Sequence, residues 1–308
     1  MKTLTLFALP EGGRQTLEKA GVTVLDEAQY DPSQAGSIDA ILGWNDTGRA
    51  LVEGPNQVQF IQTMSAGVDY LPLKALAAQH ILVANTAGIH AVPIAESVTG
   101  MMLAFARGLY PLAAQWETTA RDRMWTAAGK TAVVFGTGHI GQAIAQHLDA
   151  LGMTVNGVSR HGEAKPGFAQ VATTESGRAL CQNAQVIVNV MPLTPATHHY
   201  FDHSFFAHLT SHPLFINVGR GPSVDTAALI EALENHWVSG AALDVFEQEP
   251  LPADSGLWTR PDVLVTPHLS GTVEQLRQQV FNIFWPNLQQ LMATGTLRKN
   301  QVDLAAGY

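Results

Sequence analysis

Three polar residues, Arg220, Glu249 and His268, each fall behind a short apolar run that reads as a β-strand. Arg220 lies in Val218-Gly219-Arg220-Gly221, after Phe215-Ile216-Asn217. Glu249 closes Asp244-Val245-Phe246-Glu247-Gln248-Glu249-Pro250, and His268 lies in Thr266-Pro267-His268-Leu269-Ser270-Gly271 after Val263-Leu264-Val265. These are the residue types that reduction of a 2-keto acid requires. A planar guanidinium grips a carboxylate and polarises the ketone oxygen. An imidazole delivers a proton to the developing alkoxide. A carboxylate orients that imidazole and favours its protonated form. The hydride itself would come from a nicotinamide. Singly, each residue has an ordinary reading as an ion-pair partner, a structural histidine or a solvated carboxylate. Three strand-end placements downstream of a dinucleotide loop carry the reading together.

That loop is Gly136-Thr137-Gly138-His139-Ile140-Gly141, a G-x-G-x-x-G element. Val133, Val134 and Phe135 lead into it as a strand, and Ile140, Ala143, Ile144, Leu148 and Leu151 follow at helical spacing. In this context Gly136 permits the turn, Gly138 admits a pyrophosphate to the backbone and Gly141 lets the helix pack on the strand. The helix N-terminus supplies free N–H groups and the positive dipole end. About 20 residues on, where an acidic residue would bind a ribose 2′-hydroxyl, the chain has Ser159-Arg160-His161. No carboxylate stands there to repel a 2′-phosphate, and Arg160 can pair with one. NADP(H) is therefore favoured, with NAD(H) possible.

The elements that must position these residues alternate along most of the chain. Strands are predicted at residues 4–9, 22–26, 38–43, 58–64 and 81–85, with helices at 14–20 and 73–79 between them. A helix is predicted from Pro93 to about Trp116, read as buried and passing between two domains. A second series follows, with strands at 131–135, 154–159, 185–190, 214–218, 240–245 and 263–266 and helices at 226–236 and 273–292. This pattern predicts parallel sheets flanked by helices.

Composition bounds the remaining options. With 308 residues, 46% hydrophobic and 14% charged, the chain is globular. Seventeen basic against twenty-six acidic side chains, a net charge of −9, disfavour a nucleic-acid or anionic-membrane partner. Cys181 is the single cysteine, so no intrachain disulfide is possible. The N-terminal apolar run is too short for a signal peptide and no stretch suggests a membrane span, so a cytoplasmic location is expected. His198, His199, His203, His208 and His212 mix loop and helix spacing without an accompanying metal motif. They are read as solvated or capping residues, and no metal site is expected.

The motifs resemble the D-isomer-specific 2-hydroxyacid dehydrogenases, from Ser65-Ala66-Gly67-Val68-Asp69 through Gly271, about two-thirds of the chain. Gln301-Val302-Asp303, Gly307-Tyr308 and Trp44 are similar to the glyoxylate/hydroxypyruvate reductase branch. The resemblance implies two Rossmann-like or flavodoxin-like doubly wound parallel-sheet domains with a cleft between them. Residues 1–96 plus 275–308 would form a discontinuous substrate-binding domain, and 97–274 the dinucleotide-binding Rossmann domain. It implies Arg220 as the substrate and cofactor-amide contact, Glu249 as the orienting carboxylate and His268 as the acid/base. Backbone N–H groups of Ala66 and Gly67 would receive the substrate carboxylate, with Trp44 in a loop that sets side-chain specificity. Ser97, Met191, Pro192, Val218 and Asp244 would line the cofactor, Asp244 facing the nicotinamide amide. A small 2-keto or 2-hydroxy acid, a D product and a homodimer are implied. Two alternatives stand beside the reductase: a phosphoglycerate dehydrogenase-like enzyme of the same family, and a dinucleotide-sensing binding protein like the corepressors that share this fold. A formate or phosphite dehydrogenase of the same fold is a third.

Overall fold

The computed structural model describes residues 1–111 and 119–307. By contact density the chain divides into two compact units, Met1–Ile89 with Val273–Tyr308, and His90–Thr272. Both are parallel α/β units of the expected class.

The first unit is built on a five-stranded sheet of β1 (Lys2–Thr5), β2 (Thr23–Asp26), β3 (Ala40–Leu42), β4 (Phe60–Gln62) and β5 (Leu82–Ala84), in the order β2-β1-β3-β4-β5 with every pairing parallel. Successive side chains on a strand face opposite ways. Leu4, Ile41, Ile61 and Val83 accordingly join one core, and Ala40, Leu42, Phe60 and Ala84 another. Helices α1 (Gly13–Lys19), α2 (Asp46–Glu53) and α3 (Leu73–Ala78) lie in the connections between these strands, and α8 (Leu276–Thr294) covers the second core through Val280, Phe281, Phe284 and Leu288, with the Phe284 ring stacked on Phe60 at 5.9 Å between centroids. The last residues return to the same sheet. Buried Asn287 accepts from Arg298 N and Lys299 N, and Val302 N donates to Val83 O. That is how a C-terminal segment belongs to the N-terminal unit.

The second unit holds β6 (Thr131–Phe135), β7 (Thr154–Ser159), β8 (Gln170–Thr173), β9 (Val186–Asn189), β10 (Leu214–Asn217), β11 (Gly240–Leu243) and β12 (Val263–Val265). Their order is β12-β11-β10-β9-β6-β7-β8, again all parallel. Helix α4 (Ala91–Ala106) and helix α5 (His139–Ala150) cover one face, while α6 (His203–Phe206) and α7 (Thr226–Glu234) join the core on the other. The strand order reverses at β6 and β9, which opens a crevice at the carboxyl ends of the strands.

Several boundaries differ from the sequence reading. The strand expected over residues 4–9 is Lys2–Thr5, because the ladder stops at Leu6, whose N–H donates to Leu42 O at 2.8 Å. Phe7 and Leu9 then pack from a loop on the α8 core, which accounts for the longer apolar run. The helix expected from Pro93 to about Trp116 begins at Ala91 and ends at Ala106, with Gly108 at φ 63° behind it. Its expected second half runs into residues 112–118, outside the described residues, as does Tyr308. The α4 described lies within the second unit. Strand β8 has no counterpart among the strands predicted from the sequence: it is a partly exposed edge strand with no strongly apolar residue run. No described helix is long and apolar enough to cross a membrane.

Candidate active site

The dinucleotide loop joins β6 to α5 at the point where the sheet order reverses. Gly136 has φ 105°, and a Cβ there would stand 2.9 Å from Val190 O. At Gly141 a Cβ would lie 1.9 Å from Gly136 O, closer than any side chain permits. The turn therefore folds back on the first helical turn, and only glycine allows it. A Cβ on Gly138 would meet nothing within 4 Å, so this side of the loop is open. No side chain caps the N-terminus of α5, whose first N–H groups remain available to an anion. These features fit a pyrophosphate. Thr137, His139 and Ile140 complete the segment, with Thr137 buried and its carbonyl accepting from Gln142 Nε2 at 3.0 Å.

β7 ends at Ser159, as its position in the motif requires. Ser159 Oγ accepts from Gly162 N at 3.2 Å, which closes a tight turn around Arg160 and His161. Arg160 is exposed on that turn.

His268 and Glu249 are brought together. The imidazole Nδ1–H donates to Glu249 Oε2 at 2.7 Å, leaving Nε2 as the other ring nitrogen. Glu249 is itself fixed, its Oε1 accepting from Phe246 N at 3.0 Å. His268 occupies the left-handed region at φ 50°, a conformation that histidine adopts more readily than most residues. Its N–H donates to Asp244 O at 2.8 Å.

Asp244 does more here than its expected place beside a nicotinamide amide would suggest. Fully buried, its carboxylate accepts from Thr266 Oγ1 (2.6 Å), Leu269 N (2.9 Å), Ser270 N (3.0 Å) and Ser270 Oγ (2.5 Å). It holds the whole loop that presents His268. Ser97 Oγ, from α4, donates to Ser270 O at 3.3 Å, and His90 Nδ1 donates to Gly271 O at 2.8 Å.

Arg220 sits on a turn pinned from below. Its carbonyl accepts from Ser223 Oγ (2.6 Å) and Asn217 Nδ2 (3.3 Å), and Asn189 Nδ2 donates to both Ser223 Oγ (2.7 Å) and Asn217 Oδ1 (2.9 Å). The guanidinium Nη1 donates to Gly219 O at 2.8 Å. This buried amide network escaped the sequence reading, although Asn189 and Asn217 both end strands at the same edge. Met191 and Val218 are buried and pack in the two cores of the unit, while Pro192 is exposed, its carbonyl accepting from Thr197 Oγ1 at 2.7 Å.

In the first unit, the segment after β4 is held through its carbonyls. Thr63 Oγ1 and Thr86 N donate to Ser65 O (3.0 and 3.1 Å), Asn85 Nδ2 to Ala66 O (2.9 Å) and Ser65 Oγ to Gly67 O (2.8 Å). Fixing these three carbonyls orients the Ala66 and Gly67 peptides. Trp44 is half-buried and packs on the Leu4 core and Gly48.

The histidine run assembles no metal cluster among the described residues. His199 pairs with Glu247, His203 lies 3.5 Å from Glu231, His208 Nδ1 donates to Ser204 O, and His212 Nδ1 donates to His236 O.

Comparison with known proteins places this geometry in a family. The family model described as D-isomer specific 2-hydroxyacid dehydrogenase, NAD binding domain, matches residues 99–270. Glyoxylate/hydroxypyruvate reductase B of Salmonella schwarzengrund is 34% identical over 281 residues, covering 87% of this chain and 85% of its own. A phosphoglycerate dehydrogenase from Lactobacillus plantarum is 41% identical, with 98% of this chain and 100% of that one covered and a TM-score of 0.59. An NADPH-dependent glyoxylate/hydroxypyruvate reductase from Sinorhizobium meliloti, solved with NADP and sulfate, superimposes with a TM-score of 0.82 at 26% identity over 100% of this chain and 99% of its own. The resemblance read from the motifs holds: this chain is an NAD(P)-dependent oxidoreductase of the D-isomer specific 2-hydroxyacid dehydrogenase family.

Proposed function

We propose that the protein reduces a short 2-keto acid, of the glyoxylate or hydroxypyruvate class, to its D-2-hydroxy acid with NADPH. The observation that carries this reading is the His268–Glu249 pair at 2.7 Å on the carboxyl edge of a dinucleotide-binding sheet. The Gly136–Gly141 loop and the N-terminus of α5 would hold the dinucleotide, whose nicotinamide would supply the hydride. His268 Nε2 delivers the proton to the carbonyl oxygen, and Glu249 holds the ring by Nδ1 and stabilises its charged form. Arg220 polarises the ketone and grips the carboxylate. The Ala66 and Gly67 N–H groups are the proposed carboxylate receptor of the first unit, and Trp44 a specificity contact. Ser97, Met191, Pro192, Val218 and Asp244 are the proposed cofactor neighbours.

The preference for NADPH rests on Ser159 and Arg160, which put a hydroxyl and a cation where a carboxylate would exclude a 2′-phosphate. The Sinorhizobium relative solved with NADP supports it. A cytoplasmic homodimer is part of the same reading. The 41% identity to a phosphoglycerate dehydrogenase favours a second substrate, phosphohydroxypyruvate. Purified protein should be offered glyoxylate, hydroxypyruvate and phosphohydroxypyruvate, each with NADPH and with NADH. Turnover of an unphosphorylated keto acid, faster with NADPH, is expected. Exclusive use of the phosphorylated acid selects the second reading, and no turnover of any of them defeats both.

A further inference from the structure

Glu247 stands two residues before Glu249, and its carboxylate accepts from two other segments at once. Oε1 takes the Nε2–H of His199 at 2.6 Å, and Oε2 takes the backbone N–H of Thr226 at 2.8 Å. Burial pushes the Glu247 carboxyl up, but the hydrogen bonds from Thr226 and His199 outweigh it, and the group is held below its ordinary value. Thr226 opens α7, whose next N–H groups, on Ala227 and Ala228, are capped by Asp225. His199 N, in turn, donates to Pro222 O at 2.9 Å, inside the turn that follows Arg220. The two loops also touch directly: a Cβ on Gly221 would lie 1.8 Å from Phe246 O and 2.6 Å from Glu247 N.

These contacts form one path. His199 and Thr226 hold Glu247; the N–H of the preceding residue, Phe246, donates to Glu249 Oε1; and Glu249 Oε2 holds the His268 ring. The same His199 ties down the turn that bears Arg220. We propose that Glu247, braced by His199, is a positioning residue that keeps the Arg220 turn and the Glu249 carboxylate in fixed register. The proposal rests on the reading of Arg220, Glu249 and His268 as the reacting groups. Neither Glu247 nor His199 touches the substrate in this scheme. Their spacing, 48 residues apart, hides the pair in the sequence, and the histidine run in which His199 lies reads there as solvated.

The test compares Glu247→Ala, Glu247→Gln and His199→Asn with wild type. Asparagine suits position 199, where φ is 49°. The first readout needs no substrate: the ring Nδ1–H resonance of His268 in protein labelled with nitrogen-15 histidine. It should shift or broaden in Glu247→Ala and in His199→Asn. In the keto-acid assay, kcat of Glu247→Ala should fall about tenfold, the scale of a small misplacement of reacting groups. Glu247→Gln, which keeps an acceptor for Thr226 N, should recover to within about threefold of wild type, with NADPH affinity unchanged. An unaltered His268 resonance in the folded variants overturns the proposal. So does a fall in melting temperature with kcat per folded molecule preserved. If Glu247→Ala does not fold, the other two variants carry the test. Wild type inactive on every keto acid defeats the functional reading alone, and the resonance still decides whether the brace positions His268.

Discussion

Replacing Glu249 with glutamine removes one acceptor and one charge while keeping the side-chain volume. Glu249 uses both oxygens, Oε1 for Phe246 N and Oε2 for His268 Nδ1. Glutamine has a single oxygen, so one donor must face an NH2 group. If the backbone bond survives, Nδ1 can only accept, and a charged imidazole is no longer held in place. Hydrogen bonds to charged groups contribute about 1.5–3 kcal/mol. The pair is partly in water, with side-chain exposures of 52% for His268 and 36% for Glu249. Solvent screening therefore brings the loss below that range, to about 1–1.5 kcal/mol. At about 1.4 kcal/mol per decade, kcat should drop roughly 5- to 12-fold. The assay is the loss of reduced-cofactor absorbance at saturating keto acid, with NADPH affinity measured in parallel by fluorescence. A Glu249→Gln enzyme within about twofold of wild type in kcat would falsify the orienting role. A loss fully matched by weaker cofactor binding would reassign it.

Arg160→Ala should weaken NADPH about tenfold while leaving NADH binding nearly unchanged, since an exposed charge-assisted bond to phosphate is lost; equal effects on both cofactors, by calorimetry, would remove Arg160 from the 2′-phosphate. Gly141→Ala puts a methyl 1.9 Å from Gly136 O, so it should cost about 1–3 kcal/mol in thermal or denaturant unfolding and abolish dinucleotide binding. Burial pushes the Cys181 thiol up to about 12. Because the raised value keeps the thiol protonated at neutral and mildly alkaline pH, the native protein should resist alkylation and react only when unfolded. Stoichiometric labelling of the folded protein contradicts that.

Much of the candidate site was legible because its residues lie at strand ends in short, recognisable contexts. Gly136 to Gly141 follows a strand and opens a helix, so its physics is local. The pairing of His268 with Glu249 is expected from residue chemistry and the resemblance, and it forms because their strands, β12 and β11, are neighbours in the sheet. What stayed hidden depends on contacts between segments distant in the chain. Asp244 reads as one more polar residue after a strand, and only the fold reveals its carboxylate gathering four donors from residues 266–270. Asn189 and Asn217 are 28 residues apart, and their bond exists only because β9 and β10 pair in register. β8 was missed for another reason: an edge strand buries little, so its sequence carries no apolar alternation. Conversely, Phe7 and Leu9 lengthened the first apolar run without extending the strand, since they serve a core from a loop.

The most direct measurement is the turnover of His268→Asn beside wild type, with NADPH affinity determined on the same samples. Asparagine tolerates the left-handed backbone at position 268, so the substitution removes the imidazole with little cost to the loop. Loss of a general acid should lower kcat by roughly 10²–10⁴-fold while cofactor affinity holds. A variant that still reduces the keto acid at close to the wild-type rate would mean that the proton comes from another group.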